Sequence, residues 1–189
     1  MAKSQTIGSE EIQAALLRLV DAISVQQRST QARFILLGIA NGGIELARRI
    51  GQQLRDRDSA APVAVGTLDI SFHRDDIGRH PIPKEFSPTH IPADVHGAHV
   101  LLIDDVLFSG RTVKAALDEL FDHGRPSKVE LAVLVDRGGR RLPFAADFVG
   151  LTVAARADEK VVVTLDPTNP KRDSIRVLPA SPATQQSAL

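Results

Sequence analysis

The chain has no cysteine, no tryptophan and no tyrosine. Without cysteine, disulfides, thiolate nucleophiles and thiolate zinc sites are all excluded. Without Trp and Tyr, stacking on a nucleobase falls to Phe, His or Arg. Net charge is absent as well: 23 basic side chains balance 23 acidic ones. A globally basic nucleic-acid binder is therefore not indicated, although a local basic face stays open. No apolar run approaches the ~20 residues that cross a bilayer. The first residues, Met1-Ala2-Lys3-Ser4-Gln5-Thr6, lack the apolar core of a signal peptide. These absences fit a cytoplasmic protein. What remains is 189 residues, 43% of them hydrophobic, enough for one domain with a sizeable core.

The most informative stretch is Val100-Leu101-Leu102-Ile103-Asp104-Asp105-Val106-Leu107-Phe108-Ser109-Gly110-Arg111-Thr112. Four apolar residues suit a strand buried on both faces, as in a parallel sheet. The acid pair falls at its C-terminal end, where open α/β sheets bind ligands. The Ser-Gly-Arg-Thr turn offers hydroxyls and N–H groups in front of a helix, an arrangement that holds phosphate. Carboxylates beside a phosphate loop suggest a sugar phosphate. The plainer reading is βα punctuation, with Ser109 or Thr112 as a helix cap.

Around this stretch the pattern alternates. Ser9 can cap a helix carrying Ile12, Ala15, Leu16, Leu19 and Ile23 at helical spacing. Residues 34–39 form a buried strand, and Ala40-Asn41-Gly42-Gly43 leads into a helix from about Ile44 to Arg55. Residues 63–72 form another strand. From Arg74 to Ala98 there are four prolines and no apolar period, which predicts a long irregular segment of functional character. Val113, Ala116, Leu117, Leu120 and Phe121 mark a helix that Gly124 ends and Pro126 bars from continuing. Residues 129–135 form a further buried strand, with shorter ones near Val161–Leu165 and Ile175–Leu178. The expected organisation is one domain over 1–178 with a disordered tail over 179–189. The fold class is α/β: a mostly parallel twisted sheet flanked by helices, with a flexible flap at about 74–98.

Three further groups carry candidate chemistry. The 40–43 turn serves either as an anion loop or as a tight turn needing glycine. Arg74, Asp75 and Asp76 open the irregular segment as a flap or as a solvated charged edge. Asp136-Arg137 ends a buried strand at the same sheet edge, as a recognition element or as a surface ion pair. The six histidines show no metal-ligand spacing, and each is expected to be a surface or capping residue. No G-x-G-x-x-G follows a strand and no Walker lysine is present, so dinucleotide binding is not indicated.

The 100–112 stretch resembles the signature of the type I phosphoribosyltransferases, which use phosphoribosyl pyrophosphate (PRPP). Leu68-Asp69-Ile70-Ser71-Phe72-His73-Arg74-Asp75-Asp76, Gly124-Arg125-Pro126, Leu134-Val135-Asp136-Arg137-Gly138, and Leu142-Pro143 with Ala146-Asp147-Phe148-Val149-Gly150 are similar to segments of the PyrR family. Its members regulate pyrimidine operons and have uracil phosphoribosyltransferase activity. The resemblance runs from about Ser9 to Asp166. It implies a type I phosphoribosyltransferase-like fold, conversion of uracil and PRPP to UMP and diphosphate, and Mg²⁺ held mainly by substrate. Displacing diphosphate at the anomeric carbon develops positive charge on the ring. Asp104 and Asp105 are expected to hold the ribose hydroxyls and favour that charge. Val106 to Thr112 should wrap the 5-phosphate, and Ala40, Asn41, Gly42 and Gly43 should face the diphosphate. Backbone groups near Val135, Asp136, Arg137 or Val161 are candidates to read the base. Many uracil-converting members carry Lys-Thr-Arg where this chain has Ala40-Asn41-Gly42, which implies weakened or altered turnover. The alternatives are a UMP- or UTP-sensing attenuator with little catalysis and a purine-using relative. The first helix (Arg18, Arg28) and the cluster Arg137, Arg140 and Arg141 are the expected contacts for operon leader RNA, or else an ion-paired surface. A homodimer or homotetramer is implied, with Phe144–Phe148 as a possible contributor.

Overall fold

The computed structural model describes residues 5–58, 63–73 and 87–180. Arg74, Asp75 and Asp76 of the expected flap lie outside the described residues, as does the tail from 181 onward. In chain order the elements are β1 (Thr6–Ile7), α1 (Ser9–Ser29), β2 (Phe34–Ile39), α2 (Gly42–Arg57), β3 (Ala64–Leu68), β4 (His99–Leu107), α3 (Arg111–Asp122), β5 (Lys128–Asp136), β6 (Phe148–Thr152), β7 (Glu159–Thr164), a 3₁₀ turn (Pro170–Arg172) and β8 (Ser174–Pro179).

Five parallel strands form the main sheet in the order β3-β2-β4-β5-β6. The apolar runs become its centre because both faces are covered. Alternation along β4 sends Leu101 and Ile103 to one core with α1 and α2, and Val100 and Leu102 to a second core with α3. A separate antiparallel sheet, β1-β8-β7, lies beyond the parallel one. The expectation of a single sheet is corrected accordingly: β7 and β8 pair with each other, and β1 borders β8.

Four local expectations change. The cap of α1 is Gly8 rather than Ser9, which is the first helical residue. The strand expected over 63–72 stops at Leu68, where Asp69 begins a turn by accepting the Ser71 N–H. Residues 87–98 of the expected irregular stretch contain no helix or strand, yet they are anchored to the fold. His90 exchanges both backbone hydrogen bonds with Thr67, and Val95 and Ala98 are buried in the second core. Residues 148–152, not foreseen as a strand, form the outer strand β6. In consequence Phe144 and Ala146 pack on the second core and Phe148 on the first, rather than forming an apolar surface.

Candidate active site

The C-terminal edge of the parallel sheet gathers three turns. β4 runs through both acids to Leu107, because Val106 and Leu107 still pair with Val135 and Asp136 of β5. Asp104 and Asp105 thus lie inside the strand, and the loop proper is only Phe108, Ser109 and Gly110. Gly110 adopts φ 90°, a left-handed cap that starts α3 abruptly. Arg111 and Thr112 therefore belong to the first turn of α3, whose N–H groups have no acceptor within the helix. The Ser109 hydroxyl accepts from the Arg111 N–H at 3.3 Å, and the Ser109 carbonyl accepts from Arg141 and Leu142.

The 40–43 turn presses against this strand. A Cβ on Gly43 would stand 2.0 Å from the Ile103 carbonyl oxygen, and one on Gly42 would stand 2.4 Å from the Asp105 carboxyl carbon. At Gly43, only a residue without a side chain lets the start of α2 approach β4 so closely. The Ala40–Asn41 peptide is cis. A cavity of about 270 Å³ opens here, lined by Asn41, Gly42, Glu45, Asp105, Val163, Thr164 and Leu165. The structure thus joins Asp105 to the 40–43 turn. It also brings in Glu45 and the end of β7, which the sequence did not single out.

The two acids differ. Successive residues of a strand face opposite sides. Asp105 points into the cavity, while Asp104 is 6% exposed. Asp104 Oδ1 accepts the Asp105 N–H at 3.0 Å. Burial, reinforced by the neighbouring Asp105 charge, holds Asp104 well above the ordinary carboxylate range. Burial also raises Asp105, against a lowering hydrogen bond from the Val106 backbone. Glu45 shifts the other way, lowered chiefly by its hydrogen bond with Arg48. The two cations nearest the turn along α2 are both engaged by Glu45: Arg48 at 2.7 Å and Arg49 at 2.7 Å. A cavity whose wall holds the half-buried carboxylates of Asp105 and Glu45 fits a divalent cation arriving with an anionic ligand.

The expected base-reading group is altered. Val135 is fully buried in the first core. The Asp136 carbonyl accepts from Val153, and the Arg137 N–H donates to the Leu107 carbonyl. Those backbone groups are spent on the sheet. The Asp136 carboxylate accepts the Gly138 N–H and pairs with Arg140. Arg137 is 9% exposed, stacks on the Phe108 ring at 3.9 Å, and donates to the Glu159 and Arg156 carbonyls. Its Nε is buried without a partner. Arg137 thereby clamps the 108–110 loop to the start of β7. Val161 lies in β7, the outer strand of the small sheet, packed on the first core. Arg140 is also committed, to the Leu107, Phe108 and Phe144 carbonyls. Of the expected basic cluster only Arg141 is exposed, while Arg18 and Arg28 are exposed on α1.

Residues 8–166 match the phosphoribosyl transferase domain family. The "Bifunctional protein PyrR 1" of Lactiplantibacillus plantarum is 42% identical over 166 residues, covering 86% of this chain and 90% of that protein. The "Bifunctional protein PyrR" of Chloroflexus aurantiacus is 43% identical over 169 residues, covering 88% and 91%. Among solved structures, a hypoxanthine phosphoribosyltransferase from Trypanosoma cruzi in complex with the product IMP superposes with a TM-score of 0.65 at 20% identity, covering 98% of this chain and 94% of that one. At that identity the likeness speaks for the fold alone.

Proposed function

The chain belongs to the phosphoribosyl transferase domain family and, within it, to the PyrR proteins, and from that premise we propose that it transfers the phosphoribosyl group of PRPP to uracil and regulates pyrimidine genes. The observation that carries the reading is Asp105. It stands at the C-terminal edge of the sheet, against the 40–43 turn and in the same cavity, five residues before Gly110, the cap of the phosphate loop's helix. In the reaction, uracil N1 bonds to the anomeric carbon, the carbon–oxygen bond to diphosphate breaks, and the N1 proton leaves to solvent.

Asp105 holds the ribose hydroxyls and, with Asp104, favours the positive charge that grows on the ring. The first-turn N–H groups of α3, with the Ser109 and Thr112 hydroxyls, hold the 5-phosphate. The 40–43 turn presents backbone toward the diphosphate. Mg²⁺ bound to PRPP, with Asp105 and Glu45 as its nearest carboxylates, would neutralise the leaving charge. Because the backbone near Asp136 is occupied, the base is read from β7, whose outer edge has no strand beside it among the described residues. Uracil presents a donor between two acceptors, which an extended backbone matches. Arg74, Asp75 and Asp76 complete the reading as a closing flap.

The test is incubation with labelled uracil, PRPP and Mg²⁺, with hypoxanthine in a parallel arm. UMP must exceed that formed by Asp105→Asn, and equality of the two proteins sinks the enzymatic reading. The regulatory half predicts sequence-specific binding of pyrimidine-operon leader RNA, strengthened by UMP or UTP. Arg18, Arg28 and Arg141 are the exposed contacts, acting in a cytoplasmic homodimer or homotetramer. A gel-shift series at stated salt checks it, and sizing by light scattering checks the assembly.

A further inference from the structure

At the far end of α3 from the phosphate loop, side chains from three separate stretches of the chain converge. His73 ends the described turn after β3, and its Nε2 lies 3.1 Å from Glu119 Oε2 and 3.4 Å from Asp122 Oδ2. Glu119, Asp122 and His123 stand at i, i+3 and i+4, one face of the helix end. The other oxygen of Glu119, Oε1, is taken: it accepts from the Thr89 hydroxyl at 2.7 Å and faces His123 Nε2 at 3.1 Å. Thr89 is itself fixed, because its hydroxyl oxygen accepts the Asp69 N–H at 3.0 Å. The Glu119 carboxylate is thus oriented from behind, with Oε2 left toward His73 and Asp122.

We infer that His73 Nε2, Glu119 Oε2 and Asp122 Oδ2 form a binding site for a divalent transition-metal ion, with Zn²⁺ as the best match. Three observations support it. First, ligand atoms about 2.0–2.1 Å from a tetrahedral zinc stand about 3.3 Å apart, close to the 3.1 and 3.4 Å separations here. Second, the charge is wrong for a structural helix end. The last turn of α3 carries no basic residue, so two carboxylates meet the negative end of the helix dipole, where a cation belongs. Third, the group has the built support that metal sites show: Thr89 and His123 hold the ligating carboxylate, as outer partners do. One imidazole with two carboxylates favours Zn²⁺ over Mg²⁺, which takes oxygen ligands and keeps its waters. Two carboxylates and one divalent ion are neutral together, and a water fills the fourth position. The ion would tie the turn after β3 to α3, the helix whose other end closes the phosphate loop. This site is separate from the cavity at Asp105 and from any Mg²⁺ carried there by substrate.

The experiment uses untagged full-length protein stripped with a chelator and titrated with Zn²⁺ against a chromophoric competitor, in the presence of millimolar Mg²⁺. The expected result is one Zn²⁺ per chain at sub-micromolar affinity, unaffected by Mg²⁺, with a rise in melting temperature. His73→Ala and Asp122→Asn should each weaken binding at least about tenfold, and Thr89→Val about tenfold, the scale of a lost outer partner. Asp122 is 70% exposed, so Asp122→Asn is expected to fold, and circular dichroism verifies this. Absence of stoichiometric binding overturns the inference. So does Zn²⁺ binding that folded His73→Ala and Asp122→Asn both leave unchanged, since the ion then sits elsewhere.

Discussion

Two pairs of aspartates, Asp166 with Asp173 and Asp104 with Asp105, are treated in opposite ways. Asp173 is 3% exposed, yet every lone pair direction is answered. Arg49 donates to it at 2.5 and 3.2 Å, Gln13 at 3.0 Å and the Asp166 N–H at 2.9 Å. Arg49 also donates to the Asp166 carbonyl at 2.6 Å, which fastens α2 to the small sheet. Asp166 accepts from Thr168 and Asn169, and those bonds lower it to about 2. Among the described residues no cation pairs with the buried Asp104 or with Asp105, and both are raised. A carboxylate kept for architecture is neutralised by its own chain. On the function proposed above, Asp104 and Asp105 are instead left for charge that the ligand brings.

The strongest way to break this contrast is to strip the first pair of its cation. Arg49→Ala leaves Asp173 buried and uncompensated, which costs about 3–5 kcal/mol. Urea unfolding should show the loss at unchanged slope, and a loss under 1 kcal/mol refutes the account of the knot. The corresponding change in the second pair, Asp105→Asn, should do the reverse. Turnover should fall by about a hundredfold or more, about 2.7 kcal/mol of transition-state stabilisation, while the ligand-free fold is not weakened. Steady-state kinetics and melting on the same preparation separate the two.

How much of this was readable in the chain follows from where each signal resides. Residues 34–39 and 100–103 are continuous apolar runs, 129–135 is apolar apart from Glu130, and together they are the buried centre of the sheet. β6 is short, and its burial is mixed because it borders the sheet, so no run or alternation marks it. The acid pair was legible as chemistry. Its place inside β4 was not, because the pairing of Val106 and Leu107 with β5 decides where the strand ends. Arg137 looked like a recognition residue. Its stacking on Phe108 and its bonds across to residues 156 and 159 depend on tertiary approach. The same holds for Val163 to Leu165 in the cavity and for His73 beside α3, each set by contacts between elements far apart in sequence.

A third test uses pH. Asp104 and Asp105 are raised in the folded state, so folding favours their protonated forms. Their contribution to stability is fully present below the ordinary carboxylate range and is lost as pH rises through the raised values. Asp166 has the opposite sign: its contribution is present above 3.8 and lost as pH falls toward about 2. The ligand-free protein should therefore be most stable on the acid side of neutrality. Asp104→Asn removes the charge that burial opposes and should add about 0.5–2 kcal/mol at neutral pH, the usual gain from relieving a functional site. Urea unfolding across the pH range checks both statements. A wild-type profile that keeps rising from weak acid to neutral pH contradicts them.

The smallest effect comes from making the second pair resemble the first. Gly42 is one of the two glycines that press against β4, and the three atoms nearest a Cβ there all belong to the end of the Asp105 side chain. That side chain can turn aside, unlike the Ile103 carbonyl that faces Gly43. Gly42→Arg is accordingly tolerated, and it places a guanidinium beside Asp105 at a partly open cavity. A pair of that kind contributes about 0.2–1 kcal/mol, and replacing glycine at a helix start adds a few tenths more. The expected outcome is a rise of a few degrees in melting temperature and a flatter stability profile above weak acid, as Asp105 gains a partner. PRPP should bind more tightly, because the added cation also faces the diphosphate. If Gly42→Arg destabilises the fold while Ala40→Lys does not, the collision with Asp105 outweighs the charge, and the absence of a cation in this turn is then a matter of space.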